Sequence, residues 1–510
     1  MKTNNIILNS LILKFLERCG YQGIAFVIQL ILARILLPSD YGVITMLTVF
    51  IAISQVFVQS GLNTALVQRK DTTEDDYTSV FWISLLIAVI LYVILFFTSP
   101  LIASFYKMPE LSSVLRVLAL ILIPGAFNSI QNAKVQREMK FKQLLYCTIT
   151  AAVASGIVGI TMAYAGLRFW ALVGQQLTNQ IVVCVTLMFF IKWHPRMKFN
   201  YNRIKLFFSF GWKLLVSALI DTVYQNLTNL VVGKKYDSQT LGFYNRGNQF
   251  PNLFVTNING SIQSVMLPAL SKEQDNKTKM KSMVRRSIVT SSYILFPLLM
   301  GLAVCAEPLI SLLLTEKWLP CVPYLRIFCF IYAFWPIHTA NLQAINALGR
   351  SDKFLQLEII KKIYGLIALM ITVFCFKSPM AIAIGSACTA IISSFVNAHP
   401  NKKLLNYSYI EQMKDILPPI AMATIMGALV YTVTLLHLNS IITLLIQVFV
   451  GIIVYWGESK IFHIESYEYI VGIMKKIKIR FINFSSIFKY FNFTTRKCMN
   501  GKLIVKLNNN

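Results

Sequence analysis

Some charged residues lie inside apolar stretches of this sequence, where charge is costly. Glu17 and Arg18 lie in one such stretch near the N-terminus, and Lys213 and Asp221 lie in another near the middle. A charge at the centre of a bilayer costs about 2.5–3.5 kcal/mol on insertion scales, so it normally faces a cavity or a partner. Lys213 and Asp221 are a little over two helical turns apart, about 12 Å along one face, which is too far for a salt bridge. They could still line one groove that binds a charged ligand.

Plainer roles remain open for the same charges. Arg18 and Lys213 are near enough to the predicted cytoplasmic ends of their helices to extend into the lipid headgroups. Asp221 lies deeper, and either a cavity-facing position or a buried polar contact between helices accounts for it. The residues alone therefore leave both a ligand-binding and a structural role open.

Amide side chains are concentrated on the same helices. Amides in hydrocarbon often form hydrogen bonds between helices, worth about 0.6–2 kcal/mol each, and that explains some of them. Alternating donors and acceptors along a cleft also suit a glycan, and cations at the cleft suit phosphate. The predicted substrate-binding residues are Arg18, Gln29, Asn63, Lys213, Asp221, Asn226, Asn229 and Arg246. Arg246 lies near an outer helix end, where anchoring at the membrane interface explains it equally well.

The chain repeats one pattern about 200 residues apart. Ser39-Asp40-Tyr41-Gly42 follows one long apolar segment, and Gln239-Thr240-Leu241-Gly242 follows another. At the same offset, Arg34 is matched by Lys234. A membrane protein built from two similar halves usually binds its substrate where the halves meet, because the halves can rock about that site. The repeat therefore predicts a transporter.

Composition indicates a membrane protein and excludes several other classes. Of 510 residues, 56% are hydrophobic and 14% are charged, whereas soluble domains carry about 25% charged residues. The net charge of +27 lies mostly in short connections and the tail, so we expect no nucleic-acid partner. The histidines and cysteines show no metal-ligand spacing, and no catalytic motif or phosphate-binding glycine loop is present. We therefore expect no enzyme activity, no metal and no cofactor.

Hydrophobic segments predict an all-α membrane protein with about 14 membrane-spanning helices. The predicted spans cover approximately residues 11–36, 41–67, 77–99, 112–133, 144–166, 169–191, 207–233, 241–269, 287–314, 322–347, 354–376, 378–397, 415–436 and 439–457.

The repeat divides these spans into two six-helix lobes, residues 1–206 and 207–400. An additional helix pair follows at 401–462, and residues 463–510 are predicted to form a basic amphipathic tail on the cytoplasmic leaflet. Basic residues are concentrated in alternate connections, so the positive-inside rule places both termini in the cytoplasm. Six spans in each half make the repeat parallel, with its pseudo-two-fold axis along the membrane normal.

Two stretches carry a resemblance to a known family: Leu32-Ala33-Arg34-Ile35-Leu36-Leu37-Pro38-Ser39-Asp40-Tyr41-Gly42 and Leu241-Gly242-Phe243-Tyr244-Asn245-Arg246. They resemble the polysaccharide flippases of the multidrug/oligosaccharidyl-lipid/polysaccharide exporter superfamily, particularly the O-antigen and colanic-acid exporters. The resemblance covers residues 1 to about 460. It implies a two-lobed transporter of the bacterial inner membrane that moves an undecaprenyl-diphosphate-linked oligosaccharide outward by alternating access. The glycan would serve O-antigen, capsule or exopolysaccharide biosynthesis.

The same resemblance implies roles for individual residues. Cationic side chains contact the diphosphate in related flippases, and here that role falls to Arg18 and Lys213. Ion gradients drive some members, which makes Asp221 or Glu17 the ion-coupling candidate. The implied partners are membrane lipids, the lipid-linked oligosaccharide, a glycan polymerase and a chain-length regulator.

Two alternative functions remain. A multidrug or metabolite antiporter of the same superfamily predicts a smaller cavity with an acidic site in the first lobe, yet Glu17 is the only acid in the first-half spans that fits such a site. A membrane glycan polymerase or ligase needs a large outer loop with basic and histidine residues, whereas the outer loops of this chain are short.

Overall fold

A computed structural model describes residues 2–59, 62–68, 71–191, 193–196 and 199–472. For residues 2–16, 18–19, 64–65, 202–203, 206 and 210 the description is limited to the backbone. Across this part of the chain every regular element is helical, which confirms the all-α prediction. The α-helices are α1 (Lys2–Ile35), α2 (Pro38–Gln59), α3 (Leu62–Gln68), α4 (Glu74–Tyr106), α5 (Glu110–Leu118), α6 (Leu122–Arg137), α7 (Phe141–Tyr164), α8 (Phe169–Ile191), α9 (Tyr201–Lys235), α10 (Ser238–Ser271), α11 (Lys277–Val304), α12 (Ala306–Leu314), α13 (Val322–Ala333), α14 (Trp335–Ala347), α15 (Ser351–Cys375), α16 (Pro379–Leu404), α17 (Tyr409–Thr432) and α18 (Ser440–Ile461).

Each predicted span coincides with one helix or with two consecutive helices. Within the described residues, ten helical segments are long and apolar enough to cross a membrane, as expected for a multi-pass membrane protein. Helices α9, α10 and α15 are equally long but too polar to meet the same criterion, and α1 contributes only the shorter apolar segment Gly20–Ile35. The total of fourteen spans therefore remains a prediction. The four helices that do not meet the criterion, α1, α9, α10 and α15, carry most of the charge and many of the amides inside the predicted spans.

Local capping fixes where several of these helices begin. The Asp237 carboxylate accepts a hydrogen bond from the backbone N–H of Thr240 at 2.6 Å and starts α10. The Ser408 hydroxyl does the same for Glu411 at 3.2 Å and starts α17. Such caps satisfy backbone donors that a helix leaves unpaired in its first turn. Both helices therefore begin at defined positions.

The main buried core extends through both halves of the chain. It includes Leu32 and Leu47 from the first half and Leu241 and Leu325 from the second. Helix α9 contacts α2, α3 and α4 as well as α10 and α15, so it bridges the predicted lobes. The lobe boundaries themselves stay a prediction.

The two halves approach most closely where α2 crosses α10. A Cβ atom built on Gly42 would lie 1.7 Å from the carbonyl oxygen of Ser238, and one built on Gly242 would lie 2.1 Å from that of Pro38. Only glycine permits this approach, because any side chain would overlap the opposing backbone. The contact is reciprocal at the 200-residue offset of the repeat, so the two halves meet here as pseudo-symmetric partners.

Cations reinforce this crossing from both halves. The Arg34 Nε donates to the carbonyl of Leu313 at the end of α12 at 2.9 Å, and Lys234 Nζ donates to the carbonyl of Phe105 at the end of α4. Each cation thus caps the C-terminal carbonyls of a helix in the other half, where the helix dipole favours positive charge. Trp318 is fully buried and donates to the carbonyl of Ala33 at 2.8 Å.

We call Arg34, Gly42, Lys234, Gly242 and Trp318 the outer seal. The predicted orientation places this seal on the outer side of the membrane. After α18, residues 465–472 are helical. The rest of the predicted amphipathic tail, residues 473–510, lies outside the described residues.

Alanine at either crossing glycine should lower the apparent melting temperature of the protein in detergent. The added methyl group overlaps a backbone oxygen, and overpacking of this kind costs about 1–3 kcal/mol. Since each change is relieved by widening the same crossing, Gly42→Ala and Gly242→Ala together should cost less than the sum of the two.

Gly457→Ala is the matched control, because a Cβ at Gly457 meets no atom within 4 Å. Losses at Gly42 and Gly242 no larger than in this control would contradict a crossing that depends on glycine.

Candidate functional site

A polar cavity of about 560 Å³ lies directly beneath the outer seal. Helices α1, α2, α7, α8 and α10 line it, so both halves contribute. Its wall is dominated by ten amide side chains: Gln29, Gln55, Gln175, Gln176, Asn179, Gln180, Asn245, Asn248, Gln249 and Asn252. Amides both donate and accept hydrogen bonds, so this central cavity can bind a ligand with many hydroxyl groups.

Arg246 is the one charged side chain among the described residues that line the central cavity. It is 5% exposed, and its guanidinium carbon lies 4.5 Å from the ring centroid of Tyr41 and 4.9 Å from that of Trp318. Its Nη1 donates to Gln249 Oε1 at 2.7 Å, while its Nη2 is buried with no hydrogen-bond acceptor among the described residues. A buried, incompletely satisfied guanidinium is well suited to bind a phosphate.

Hydrogen bonds connect Arg246 to the other half of the protein. Gln249, which accepts from Arg246, donates through Nε2 to Gln29 Oε1 on α1. On the same helix, Asn248 accepts from the hydroxyl of Tyr332 at 2.7 Å. The cation is therefore oriented by a short network that crosses the interface between the halves.

A second polar cavity, of about 820 Å³, continues from the first and is lined by the N-terminal half and by Leu214 of α9. Gln55 and Gln180 line both cavities, so the two join at these residues. The amides of the second cavity are Gln55, Gln59, Asn63, Gln68, Asn128, Asn132, Gln136 and Gln180, and no charged side chain lines it in the described part of the chain. Asn63 and Gln68 lie toward the predicted cytoplasmic side. The pair forms a polar passage that is closed at the outer seal.

The structure brings together four of the predicted substrate-binding residues. Gln29 and Arg246 line the central cavity, and Asn63 lines the second cavity, where it donates to the hydroxyl of Ser129. Asn229 accepts a hydrogen bond from Asn245 of the central cavity at 3.2 Å. These residues, from both halves, lie along one polar passage.

Other predicted residues lie elsewhere. Asn226 donates to the carbonyl of Thr222 on its own helix at 2.9 Å. Lys213 is exposed on α9, Glu17 is partly buried on α1, and the side chain of Arg18 is outside the described residues.

Asp221 has a partner that the sequence did not suggest. It forms an ion pair with Lys362 on α15, with half of its side chain exposed. One turn earlier on α15, Glu358 pairs with Lys361 at 2.5 Å. Helix α15 therefore carries paired charges inside a predicted span.

Sequence reasoning missed two groups of polar residues. The first is the α8 face formed by Gln175, Gln176, Asn179 and Gln180. Their i, i+1, i+4, i+5 spacing inside an apolar span indicates one polar face of a helix. The second is the α15 charges, which lie too far along the chain from Asp221 for sequence spacing to join them. Only the fold could reveal that pair.

The chain is similar in sequence to known proteins of polysaccharide biosynthesis. The family described as "Polysaccharide biosynthesis protein" matches residues 31–323. The chain is 27% identical over 301 residues to the teichuronic acid biosynthesis protein TuaB of Bacillus subtilis, an alignment that covers 59% of this chain and 62% of TuaB. It is 24% identical over 382 residues to the lipopolysaccharide biosynthesis protein WzxC of Escherichia coli, covering 74% and 76% of the two chains.

Solved structures share the fold. The inward closed conformation of the lipid II flippase MurJ aligns with a TM-score of 0.72 at 16% identity, covering 89% of this chain and 99% of that one. An inward-facing multidrug resistance transporter of the MATE family aligns with a TM-score of 0.58 at 15% identity, covering 76% and 96%. This likeness supports the predicted two-lobed helical architecture.

A double-mutant cycle should show that Asp221 and Lys362 depend on each other. Lys362→Met leaves an unpaired carboxylate within a predicted span, so we expect a lower apparent melting temperature. Asp221→Asn combined with Lys362→Met should be less damaging than the sum of the single variants, by about 1 kcal/mol for a partly exposed pair. Additive losses would show that the two side chains do not interact in the membrane.

Proposed function

Because the chain belongs to the polysaccharide biosynthesis protein family, we propose that it is a flippase for undecaprenyl-diphosphate-linked oligosaccharides. It carries these units across the bacterial inner membrane for O-antigen, capsule or exopolysaccharide assembly. The observation that supports this function most strongly is the amide-lined passage with one buried arginine. It combines the two chemistries that the polar part of such a substrate requires.

The sugar units match the walls of the passage. A glycan presents hydroxyl groups in many directions, and amide side chains can donate to or accept from each of them. The two cavities, of about 560 and 820 Å³, join at Gln55 and Gln180. A hydrated oligosaccharide therefore has a continuous polar path, while its polyprenyl chain remains in the hydrocarbon.

The diphosphate matches Arg246. Arg246 lines the central cavity, its Nη2 has no acceptor among the described residues, and Tyr41 and Trp318 shield the guanidinium from water, which strengthens the electrostatic attraction. No carboxylate lines either cavity in the described part of the chain. An anion entering the central cavity thus meets attraction without a competing negative charge.

The remaining candidate residues fit the same proposal. Exposed Lys213, together with Arg18, attracts the anionic head of the lipid before it enters the passage. Gln29, Asn63 and Asn229 contact sugar hydroxyls or position neighbouring amides, whereas Asn226 hydrogen-bonds to the carbonyl of Thr222 on its own helix. Asp221 or Glu17 couples the transport cycle to an ion gradient. The ion pair between Asp221 and Lys362 changes during that coupling.

Transport proceeds by alternating access. The outer seal closes one end of the passage in this conformation, and rocking of the predicted lobes, residues 1–206 and 207–400, would open it. Both termini lie in the cytoplasm, as the distribution of basic connections indicates. A glycan polymerase and a chain-length regulator act on the product at the outer leaflet and are the proposed partners.

The alternative functions fit less well. A drug or metabolite antiporter for cations needs an acidic cavity, whereas the described lining of both cavities carries amides and one arginine. A glycan polymerase or ligase needs catalytic groups outside the membrane. The short connections at the predicted outer side, such as residues 36–37 and 236–237, provide little room for them.

Replacing Arg246 tests the proposed diphosphate contact. Arg246→Gln should reduce surface glycan at least about tenfold while leaving the amount of protein in the membrane unchanged, because a charge-assisted hydrogen bond to phosphate is lost. Arg246→Lys retains the charge without the forked geometry and should keep an intermediate level. Glycan is measured by staining of the surface polysaccharide in cells that lack the native copy.

Arg326→Gln provides a matched control, since Arg326 is exposed and pairs with exposed Glu307 at 2.9 Å. It should leave surface glycan near the wild-type level. Normal glycan display by Arg246→Gln would exclude Arg246 as the anion-binding residue.

A further inference from the structure

A third cavity, of about 510 Å³, lies near the N-terminal ends of α11 and α17, on the side of the membrane opposite the outer seal. The segment 464–469, which follows α18, contributes the remaining wall. We call this space the headgroup pocket. It shares no lining residue with the two cavities of the polar passage.

The headgroup pocket carries a surplus of positive charge. Arg285, Arg286 and Lys414 line it, opposed by Asp415 and Glu465. Asp415 is already engaged, because its Oδ1 accepts from Arg285 at 2.7 Å. The single negative charge of Asp415 is therefore balanced by Arg285, while its second oxygen accepts a hydrogen bond from the Tyr407 hydroxyl.

Arg286 and Lys414 have no ion-pair partner among the described residues. The guanidinium carbon of Arg286 lies 3.5 Å from the ring centroid of Tyr469, a cation–π contact that positions it without neutralising it. Two carboxylates line the pocket: Asp415 forms an ion pair with Arg285, and Glu465 does not. Two cations therefore face a space that contains at most one opposing charge.

The depth of the pocket matches the phosphates of a lipid leaflet. Lys414 lies five residues after the start of α17, about 8 Å along the helix axis, and Arg286 lies about 14 Å from the start of α11. Both helices begin on the predicted cytoplasmic side, where anionic lipids accumulate. Cations at this depth lie at the level of the headgroups.

A separate apolar groove of about 650 Å³ lies farther along the same helices, toward the outer seal. On α11 it begins at Tyr293, one turn beyond Thr290 of the headgroup pocket, and on α17 it begins at Met426. Phe254 of α10, Leu309 of α12 and residues of α18, which are apolar except for Gln447, complete its wall. A basic pocket at headgroup depth followed by an apolar groove reproduces the polarity of a phospholipid.

We propose that the headgroup pocket binds the phosphate of an anionic glycerophospholipid, whose acyl chain lies along the groove between α11, α17 and α18. Arg286 and Lys414 contact the phosphate, and Tyr469 holds Arg286 in place. The bound lipid ties the segment after α18 to the second half of the protein. The site does not depend on the transported substrate, because the proposed diphosphate contact is Arg246, in a separate cavity.

The experiment measures stabilisation of the full-length, delipidated protein in detergent by added lipid. Phosphatidylglycerol is titrated against phosphatidylcholine, inorganic phosphate and undecaprenyl phosphate, and the apparent melting temperature is recorded. We expect saturable stabilisation by phosphatidylglycerol alone. The double variant Arg286→Gln with Lys414→Gln should need about tenfold more phosphatidylglycerol, since each basic group near an anionic lipid contributes to binding.

A second double variant, Lys402→Gln with Lys403→Gln, controls for total charge. Both of these lysines are exposed at the end of α16, and both variants keep the basic tail. The control should retain the wild-type titration. Equal weakening in both variants would reduce the effect to general charge attraction and overturn the proposal.

The other compounds in the titration distinguish the possible sources of a bound phosphate. Stabilisation by inorganic phosphate alone would show an anion site without a lipid, and equal stabilisation by phosphatidylcholine would show that the cations are irrelevant. A response confined to undecaprenyl phosphate would assign the pocket to the substrate lipid. Each of these three results contradicts the proposed phospholipid site.

Discussion

The close crossing of α2 and α10 is the constraint on which the rest of the structure depends. Gly42 and Gly242 bring two backbones together at a distance that no side chain allows, and they do so reciprocally. Arg34 and Lys234 then cap helix ends in the opposite half, and the buried Trp318 donates to the carbonyl of Ala33. Because this contact closes the end of the passage that is predicted to face outward, the polar surfaces beneath it form a cavity closed at one end rather than an open channel.

Polarity inside the membrane is concentrated where it serves that passage. Helix α10 does not meet the criterion for a membrane span, and α1 contributes only the shorter apolar segment Gly20–Ile35; together they contribute Gln29, Arg246 and Gln249 to the central cavity. Some of these amides hydrogen-bond to one another, as Gln249 and Gln29 do. A glycan can replace such hydrogen bonds one by one, so passage does not require a single large desolvation step.

The sequence predicted the helical architecture because hydrophobic length and periodicity are local properties. It also identified the repeat, and through it Gly42 and Gly242, although their reciprocal contact is a property of the fold. Arg246 was recognised as a candidate but could equally have been an interface anchor, since its burial against Tyr41 and Trp318 depends on contacts far apart in sequence. The Asp221–Lys362 pair was unpredictable for the same reason.

The central claim is that the chain moves a lipid-linked glycan across a bilayer. The most direct test reconstitutes the purified protein in liposomes that carry a fluorescent polyprenyl-diphosphate-linked oligosaccharide in the inner leaflet. A membrane-impermeant glycosidase outside then reports how much glycan has crossed. The account predicts cleavage well above that in protein-free liposomes, falling towards background with Arg246→Gln. Cleavage no faster than in protein-free liposomes would contradict it.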